Sequence, residues 1–163
     1  RRWRTLEREV KQPDGSRIDF VLGGARPRLL EVKNCNVLYP DRRIYFPDTV
    51  SERATRHVEH LAEVVREGGR ATVLFVVQRS EALRAVRPSR LHDPTLAGAC
   101  AVAAEAGVRF RAFQVRPTLQ AYEITRSLRV DLGPYDPERL RPWREEGLLH
   151  GGWRRSKKPK SKS

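Results

Sequence analysis

The stretch Arg17-Ile-Asp-Phe-Val-Leu-Gly-Gly-Ala-Arg-Pro-Arg-Leu-Leu-Glu-Val-Lys33 decides how this chain reads. Its two arms, residues 17–22 and 28–33, are rich in strand formers. Gly23-Gly24-Ala25-Arg26-Pro27 between them supplies turn residues, so the segment predicts a β-hairpin. Side chains alternate across a strand, which puts Arg17, Asp19 and Val21 on one face and Ile18, Phe20 and Leu22 on the other. The second set is expected to be core, with Leu30 and Val32 as its partners on the return arm. Leu29, Glu31 and Lys33 then point to the opposite side.

With the turn centred on Ala25, residues whose numbers add to 50 stand opposite each other, and Asp19 faces Glu31. Opposed side chains have Cβ atoms about 5 Å apart, so the two carboxylates repel unless a cation lies between them. Mg²⁺ (or Mn²⁺) suits that place, because it takes oxygen ligands at about 2.1 Å and keeps several waters. Lys33, two residues on and on the same face, projects its ammonium at whatever the metal holds. A phosphate diester fits, and the trio reads as a site for metal-assisted in-line hydrolysis. The same D-x11-E-x-K spacing also suits a solvent-facing strand with an ordinary Glu/Lys pair.

Working outward, Asn34 to Pro47 is polar and Pro-interrupted, with Arg43 to Phe46 strand-like. Thr49 and Glu52 match a capping box, Gly68-Gly69 a stop, and Val50, Ala54, Val58, Leu61 and Val65 form one helical stripe. Arg70 to Gln78 is a continuous β-branched run, the pattern of a central strand covered on both faces, from which a parallel sheet follows. Asp93-Pro94 opens a second, Ala-rich helix that Gly107 ends, and Val108–Val115 and Tyr122–Leu132 read as more peripheral strands. The expected fold is α/β, a three-layer α/β/α sandwich on a mixed sheet. The folded domain is expected to span residues 1–132. Beyond it, 133–163 turns to Pro, Gly, Arg and Glu and ends in a basic tail.

The chain has 163 residues with 33 Lys+Arg against 20 Asp+Glu, a net charge of +13 that calls for a polyanionic partner. Six of those cations lie in the last ten residues, so the tail adds to the charge without creating it. The tail is expected to lend sequence-independent DNA affinity by counterion release. The longest apolar run, Val73 to Val77, is too short to cross a bilayer, and no secretory pattern opens the chain. Cys35 and Cys100 are expected as free thiols in a reducing, cytoplasmic setting. Methionine is absent even at position 1, which implies a lost initiator or a piece cut from something longer.

Further candidates surround the trio. Arg53 and His57 lie one helical turn apart, able to reach a phosphate backbone or support the metal ligands, or else to be an ordinary amphipathic boundary. Gln78 and Arg79 end the central strand, where α/β sheets collect ligands. Trp3, Trp143 and Trp153 flank the domain as base-stacking platforms or as caps on its core.

Several ordered segments carry a resemblance: Glu9-Val10-Lys11, Ser16-Arg17-Ile18-Asp19-Phe20, Leu30-Glu31-Val32-Lys33-Asn34, Phe46-Pro47-Asp48 with Glu52-Arg53 and His57, Phe75 to Arg79, and Asp93-Pro94. Together they resemble the sugar fermentation stimulation protein (SfsA) family from about residue 9 to residue 132. The resemblance implies a restriction-endonuclease-like, PD-(D/E)XK nuclease-like fold, non-specific DNA binding and a regulatory link to sugar metabolism. Asp19, Glu31 and Lys33 take the D, E and K of the signature, and Glu9 matches the acidic residue ahead of the hairpin. Arg17, Asn34, Arg53, His57, Gln78 and Arg79 fall where nucleic-acid contacts or support for the metal ligands are expected. Gln12-Pro13-Asp14-Gly15 departs from the family as a longer turn, and Ala54 stands where glycine is usual. The OB-like nucleic-acid-binding domain that the family places ahead of this one is expected to be absent from this chain. Two functions follow, a Mg²⁺-dependent nuclease and a catalytically silent DNA-binding regulator. An RNA-processing role would keep the same residues.

Overall fold

The computed structural model describes residues 3–12, 15–81 and 83–150. Trp153, the basic run Arg154–Lys162 and the centre of the Gln12–Gly15 turn lie outside the described residues. The strands are β1 (Thr5–Lys11), β2 (Arg17–Gly23), β3 (Arg28–Asn34), β4 (Val37–Leu38), β5 (Arg43–Phe46), β6 (Ala71–Val77), β7 (Ala85–Pro88), β8 (Arg109–Pro117) and β9 (Tyr122–Val130). They form one mixed sheet in the order β1-β2-β3-β6-β8-β9-β7-β5-β4. Its β3-β6-β8 centre is parallel, and β1-β2-β3 is antiparallel. Both strands read as peripheral are thus internal, Val108–Val115 between β6 and β9, and Tyr122–Leu132 between β8 and β7.

The hairpin has the expected register: Phe20 pairs with Leu30, Val21 with Leu29 and Leu22 with Arg28. Its assignment of faces needs correction. Ile18 is fully buried, but Phe20, Leu22, Leu30 and Val32 are only half-buried. The face that β3 shares with buried Val73 and Phe75 of β6 carries Leu29, Glu31 and Lys33. Burial of β6 on alternate residues makes that the core side of the sheet.

Helix α1 (Glu52–Arg66) starts from Ser51, whose Oγ accepts the Ala54 N–H at 3.2 Å, rather than from a Thr49/Glu52 capping box. Val50 therefore lies ahead of the helix and is exposed, while Ala54, Thr55, His57, Val58, Leu61 and Ala62 form the buried face. Helix α2 (Pro94–Ala106) follows the expected signals: Asp93 caps it, Pro94 opens it, and Gly107 closes it at φ +104, a left-handed conformation that costs glycine little. The two helices pack together over the β6 face around Val58, Leu61, Leu96, Cys100 and Ala103.

The packed unit continues past residue 132. A 3₁₀ turn (Pro137–Leu140) leads into α3 (Arg141–His150), and Leu140 is buried with Tyr39 and Tyr45, with Tyr135 and Trp143 packed beside them. Successive residues of β5 belong to different clusters, Ile44 to the α1/α2 core and Tyr45 to this second one. Since successive strand residues face opposite sides, the second cluster lies on the other face, and the layers are helices, sheet, helix. Both cysteines are free and buried; burial raises both thiols, Cys100 to about 12. Among the described residues no helix is long and apolar enough to cross a membrane.

Candidate active site on the second and third strands

Strand β3 is hydrogen-bonded on both sides, and the direction of its donors explains the site. The Leu29 N–H bonds the Arg70 carbonyl on the β6 side, so the N–H groups of Leu30 and Val32 face β2. The ladder partner for Val32 would be the carbonyl of Ile18. Instead its N–H donates to Asp19 Oδ2 at 2.7 Å, and regular pairing stops at Phe20–Leu30. A side chain has replaced a backbone acceptor, which fixes the Asp19 carboxylate at the edge of β3 beside Glu31.

Glu31 is 2% exposed. Its Oε1 accepts from Lys33 Nζ at 2.7 Å and meets His57 Nδ1 at 2.5 Å. Its Oε2 is buried and has no hydrogen-bond partner among the described residues. Two donors therefore crowd one oxygen while the other is empty. A carboxylate oxygen out of water without a partner is costly, and a cation coordinated there would remove that cost. Burial pushes the Asp19 carboxyl above its ordinary value, Glu31 and Glu9 act in the same direction, and the Val32 N–H and Lys33 pull it back. An added cation would reverse the push. Mg²⁺ needs only one or two carboxylates because it keeps several waters. This matters because among the described residues no three His, Cys, Asp or Glu side chains converge as a metal cluster.

The structure brings Asp19, Glu31, Lys33 and His57 together. His57 points inward from α1 and holds Glu31, whereas Arg53, one turn earlier, is exposed. Glu9 lies between the Arg8–Phe20 and Val10–Ile18 pairs of the β1–β2 ladder, at a positive φ of +51, and its side chain is exposed. Arg17 is exposed opposite Lys11, and Asn34 is exposed at the end of β3. Gln78 is exposed just past β6. Arg79 is tied to Glu81 and to the Asn36 carbonyl, bridging the ends of β6 and β3. His60, one turn past His57, turns to Gln12 and Glu63.

Past those strand ends lies a groove of about 860 Å³ lined by Asn36, Tyr39, Asp48, Arg79, His92 and Trp143. Sequence reasoning missed Tyr39 and His92 there; their rings stack nearly parallel at 6.2 Å, and Trp143 stands beside Tyr39. No spacing signals this, because the residues come from three separate segments.

Comparison with known proteins identifies the fold and the family. The family model described as "Sugar fermentation stimulation protein RE domain" matches residues 1–121. A sugar fermentation stimulation protein homolog of Halorhodospira halophila is 46% identical over 116 residues, 68% of this chain and 48% of that protein. The homolog of Thioalkalivibrio sulfidiphilus is 41% identical over 132 residues, covering 80% and 55%. The chain spans about half the length of the curated relatives it matches. Among solved structures, Pyrococcus furiosus SfsA in complex with Ca²⁺ superposes with a TM-score of 0.68 at 28% identity, over 77% of this chain and 54% of that one. The mixed sheet and its helices are thus a restriction-endonuclease-like α/β fold. With three quarters of its length matched by one family model and its core superposing on a solved member, this chain belongs to the sugar fermentation stimulation protein family.

Proposed function

We propose that this chain is a cytoplasmic DNA-binding domain with a Mg²⁺- or Mn²⁺-dependent phosphodiesterase site of the PD-(D/E)XK type. The observation that carries the reading is the buried, partnerless Oε2 of Glu31 beside the Asp19 carboxylate. The Ca²⁺ in the Pyrococcus furiosus relative supports a divalent cation in this fold.

Asp19, through the oxygen not bonded to Val32, and Glu31 Oε2 are the groups that would hold the cation. A bound Mg²⁺ supplies a Lewis acid that polarises a phosphoryl oxygen and lowers the pKa of a coordinated water. Lys33 neutralises charge that builds on the phosphate, once its ammonium leaves Glu31 Oε1 for the substrate. His57 holds the Glu31 side chain in place, and α1 above it keeps bulk water from the carboxylate. The excess of basic side chains draws a polyanion to the surface without regard to sequence.

A second reading has its own support. Lys33 is bonded to Glu31, and no third ligand converges among the described residues. On that reading the site is silent and the chain is a non-specific DNA-binding regulator linked to sugar metabolism. Incubating the purified chain with plasmid and linear DNA, with Mg²⁺, Mn²⁺ or chelator, separates the two. The enzyme reading expects metal-dependent cleavage that falls roughly 100-fold or more in Lys33→Ala, with DNA affinity little changed. Calorimetry with Mn²⁺ should show binding that Asp19→Ala abolishes. DNA binding without cleavage in any metal would leave the regulator, and unchanged Mn²⁺ affinity in Asp19→Ala would remove the metal site.

A further inference from the structure

The opposite end of the sheet has a different chemistry. The parallel strands β3, β6 and β8 begin there, and an arginine enters each: Arg28, Arg70 and Arg109. The register, Leu29 against Ala71 and Thr72 against Arg109, sets these starts side by side. The β2–β3 turn adds Arg26, and the segment entering β1 adds Trp3 and Arg4, the latter bonded through its N–H to the Gly23 carbonyl. Two grooves of about 600 and 480 Å³ meet at Trp3 and Arg70, and among the described residues no acidic side chain lines either of them.

Like charges are not gathered this way without a counter-charge. None of Arg4, Arg26, Arg28, Arg70 and Arg109 forms an ion pair with a carboxylate among the described residues. Arg28 is held rigidly, donating from Nη1 to the Ala71 carbonyl at 3.1 Å and to Thr72 Oγ1 at 3.2 Å, which leaves the rest of its fork for another acceptor. Burial and the neighbouring charges of Arg109 and Arg70 pull its guanidinium below the ordinary value. Trp3 stays 45% exposed between the two grooves.

We propose that this end is a second nucleic-acid site, in which Arg28, Arg70 and Arg109 grip the phosphodiester backbone of a single strand and Trp3 stacks on one of its bases. Arginine forks match phosphate oxygens two at a time, and the guanidinium of Arg28, already held by β6, loses little freedom on binding. An unpaired base presents a free face to an indole, which a base inside a duplex does not. The grooves are of a size for individual nucleotides, and they lie away from Glu31 and Lys33, which sit further along β3. The site holds a strand and takes no part in its hydrolysis, so it stands or falls separately from the metal-site reading.

Fluorescence anisotropy with labelled oligothymidylate and a matched duplex, in chelator, tests it on the full chain. Arg70→Ala/Arg109→Ala and the triple variant that adds Arg28→Ala are compared with a control triple of equal charge, Arg56→Ala/Arg116→Ala/Arg129→Ala. The double variant leaves the Arg28 bonds to β6 intact, so it guards against a folding defect in the triple, and thermal melts of both report one directly. The proposal expects the triple to bind the single strand at least tenfold more weakly and its log–log salt slope to fall by about 2, at roughly 0.7 per lost phosphate contact. Trp3→Ala should weaken the single strand roughly fivefold or more and leave the duplex unchanged. Equal losses in the control triple would overturn the site, as would competition by polyglutamate as strong as by oligothymidylate. Equal binding of single strand and duplex, insensitive to Trp3→Ala, would overturn the stacking. Because chelator silences metal chemistry and Lys33 lies outside the patch, failure here leaves the Lys33→Ala cleavage result standing, and the reverse holds as well.

Discussion

Two carboxylates in this protein are buried almost equally, Asp93 at 1% exposure and Glu31 at 2%, and the protein treats them in opposite ways. Both oxygens of Asp93 are used: Oδ1 accepts the Leu96 N–H at 2.9 Å and Oδ2 the Ser51 N–H at 2.8 Å. The charge sits where the first turns of α2 and α1 meet, and it complements the positive ends of both helices. Glu31 takes two donors on one oxygen and none on the other. Burial of a carboxylate therefore does not mark a site by itself. The oxygen left without a partner is what sets Glu31 apart from a carboxylate that fastens helices, and on the function proposed above it is the oxygen that would take a cation.

The sharpest way to break this contrast is to remove the finished carboxylate. Asp93→Ala leaves two backbone donors at buried helix starts without acceptors, at a cost of about 3 kcal/mol. For a chain of this length that lowers the melting temperature by roughly 6–12 °C. Mn²⁺ affinity, measured by calorimetry well below the new midpoint, should be unchanged. Loss of metal binding in the folded variant would mean that the two carboxylates are not separable and that the contrast is false.

The complementary substitution is Glu31→Gln, which keeps the shape and removes the charge. Without metal, stability should fall by about 1–2 kcal/mol, less than in Asp93→Ala, because the amide oxygen still accepts from Lys33 and His57 while the Lys33 charge loses its anion. With Mn²⁺ at 100 times its dissociation constant, the unaltered chain should gain about 2.7 kcal/mol and the variant nothing. Thermal melts with and without Mn²⁺ read both numbers. A metal-free loss in Glu31→Gln as large as that of Asp93→Ala would make Glu31 a structural group after all.

How far the sequence reveals this contrast can be followed residue by residue. Local signals read well: paired glycines set the hairpin register, Asp93-Pro94 and Gly107 bound α2, and the β-branched run marks β6. Strand β1, Thr-Leu-Glu-Arg-Glu-Val-Lys, escapes notice because it is an exposed edge strand with no apolar alternation, and β7 because it has only four residues. The capping signal falls two residues early because Thr49 and Ser51 are both competent caps, and the choice belongs to the Asp93 carboxylate that receives the Ser51 N–H. The two faces of the hairpin read in reverse because Glu31 looks solvent-facing by composition. Only α1, arriving from elsewhere in the chain with His57, makes it buried. Likewise the Pro/Gly/Arg-rich composition after residue 132 hides Tyr135, Leu140 and Trp143, whose partners Tyr39 and Tyr45 lie about a hundred positions earlier.

Asp131 offers the smallest test, a carboxylate finished by a side-chain cation rather than by backbone. Burial alone would raise it, but the hydrogen bond and charge of Arg87, the Gly133 N–H at 3.2 Å and Arg129 outweigh burial and hold it below the ordinary carboxylate value. Arg87 is itself placed by Tyr135, whose ring centre lies 4.5 Å from the guanidinium. A carboxyl depressed in the folded state binds its proton more readily when unfolded. Its contribution is therefore complete above the unfolded value of about 3.9 and is lost as pH falls through the folded one. The stability difference between the unaltered chain and Asp131→Asn, read from urea midpoints from pH 6 downward, should hold steady until about pH 4 and then shrink by roughly 1 kcal/mol. In Asp131→Asn the acid decline should be shallower by that amount and stability near pH 6 lower by a similar one. An acid limb identical in the two proteins would show that Arg87 is held by Tyr135 alone and that the Asp131 charge contributes nothing.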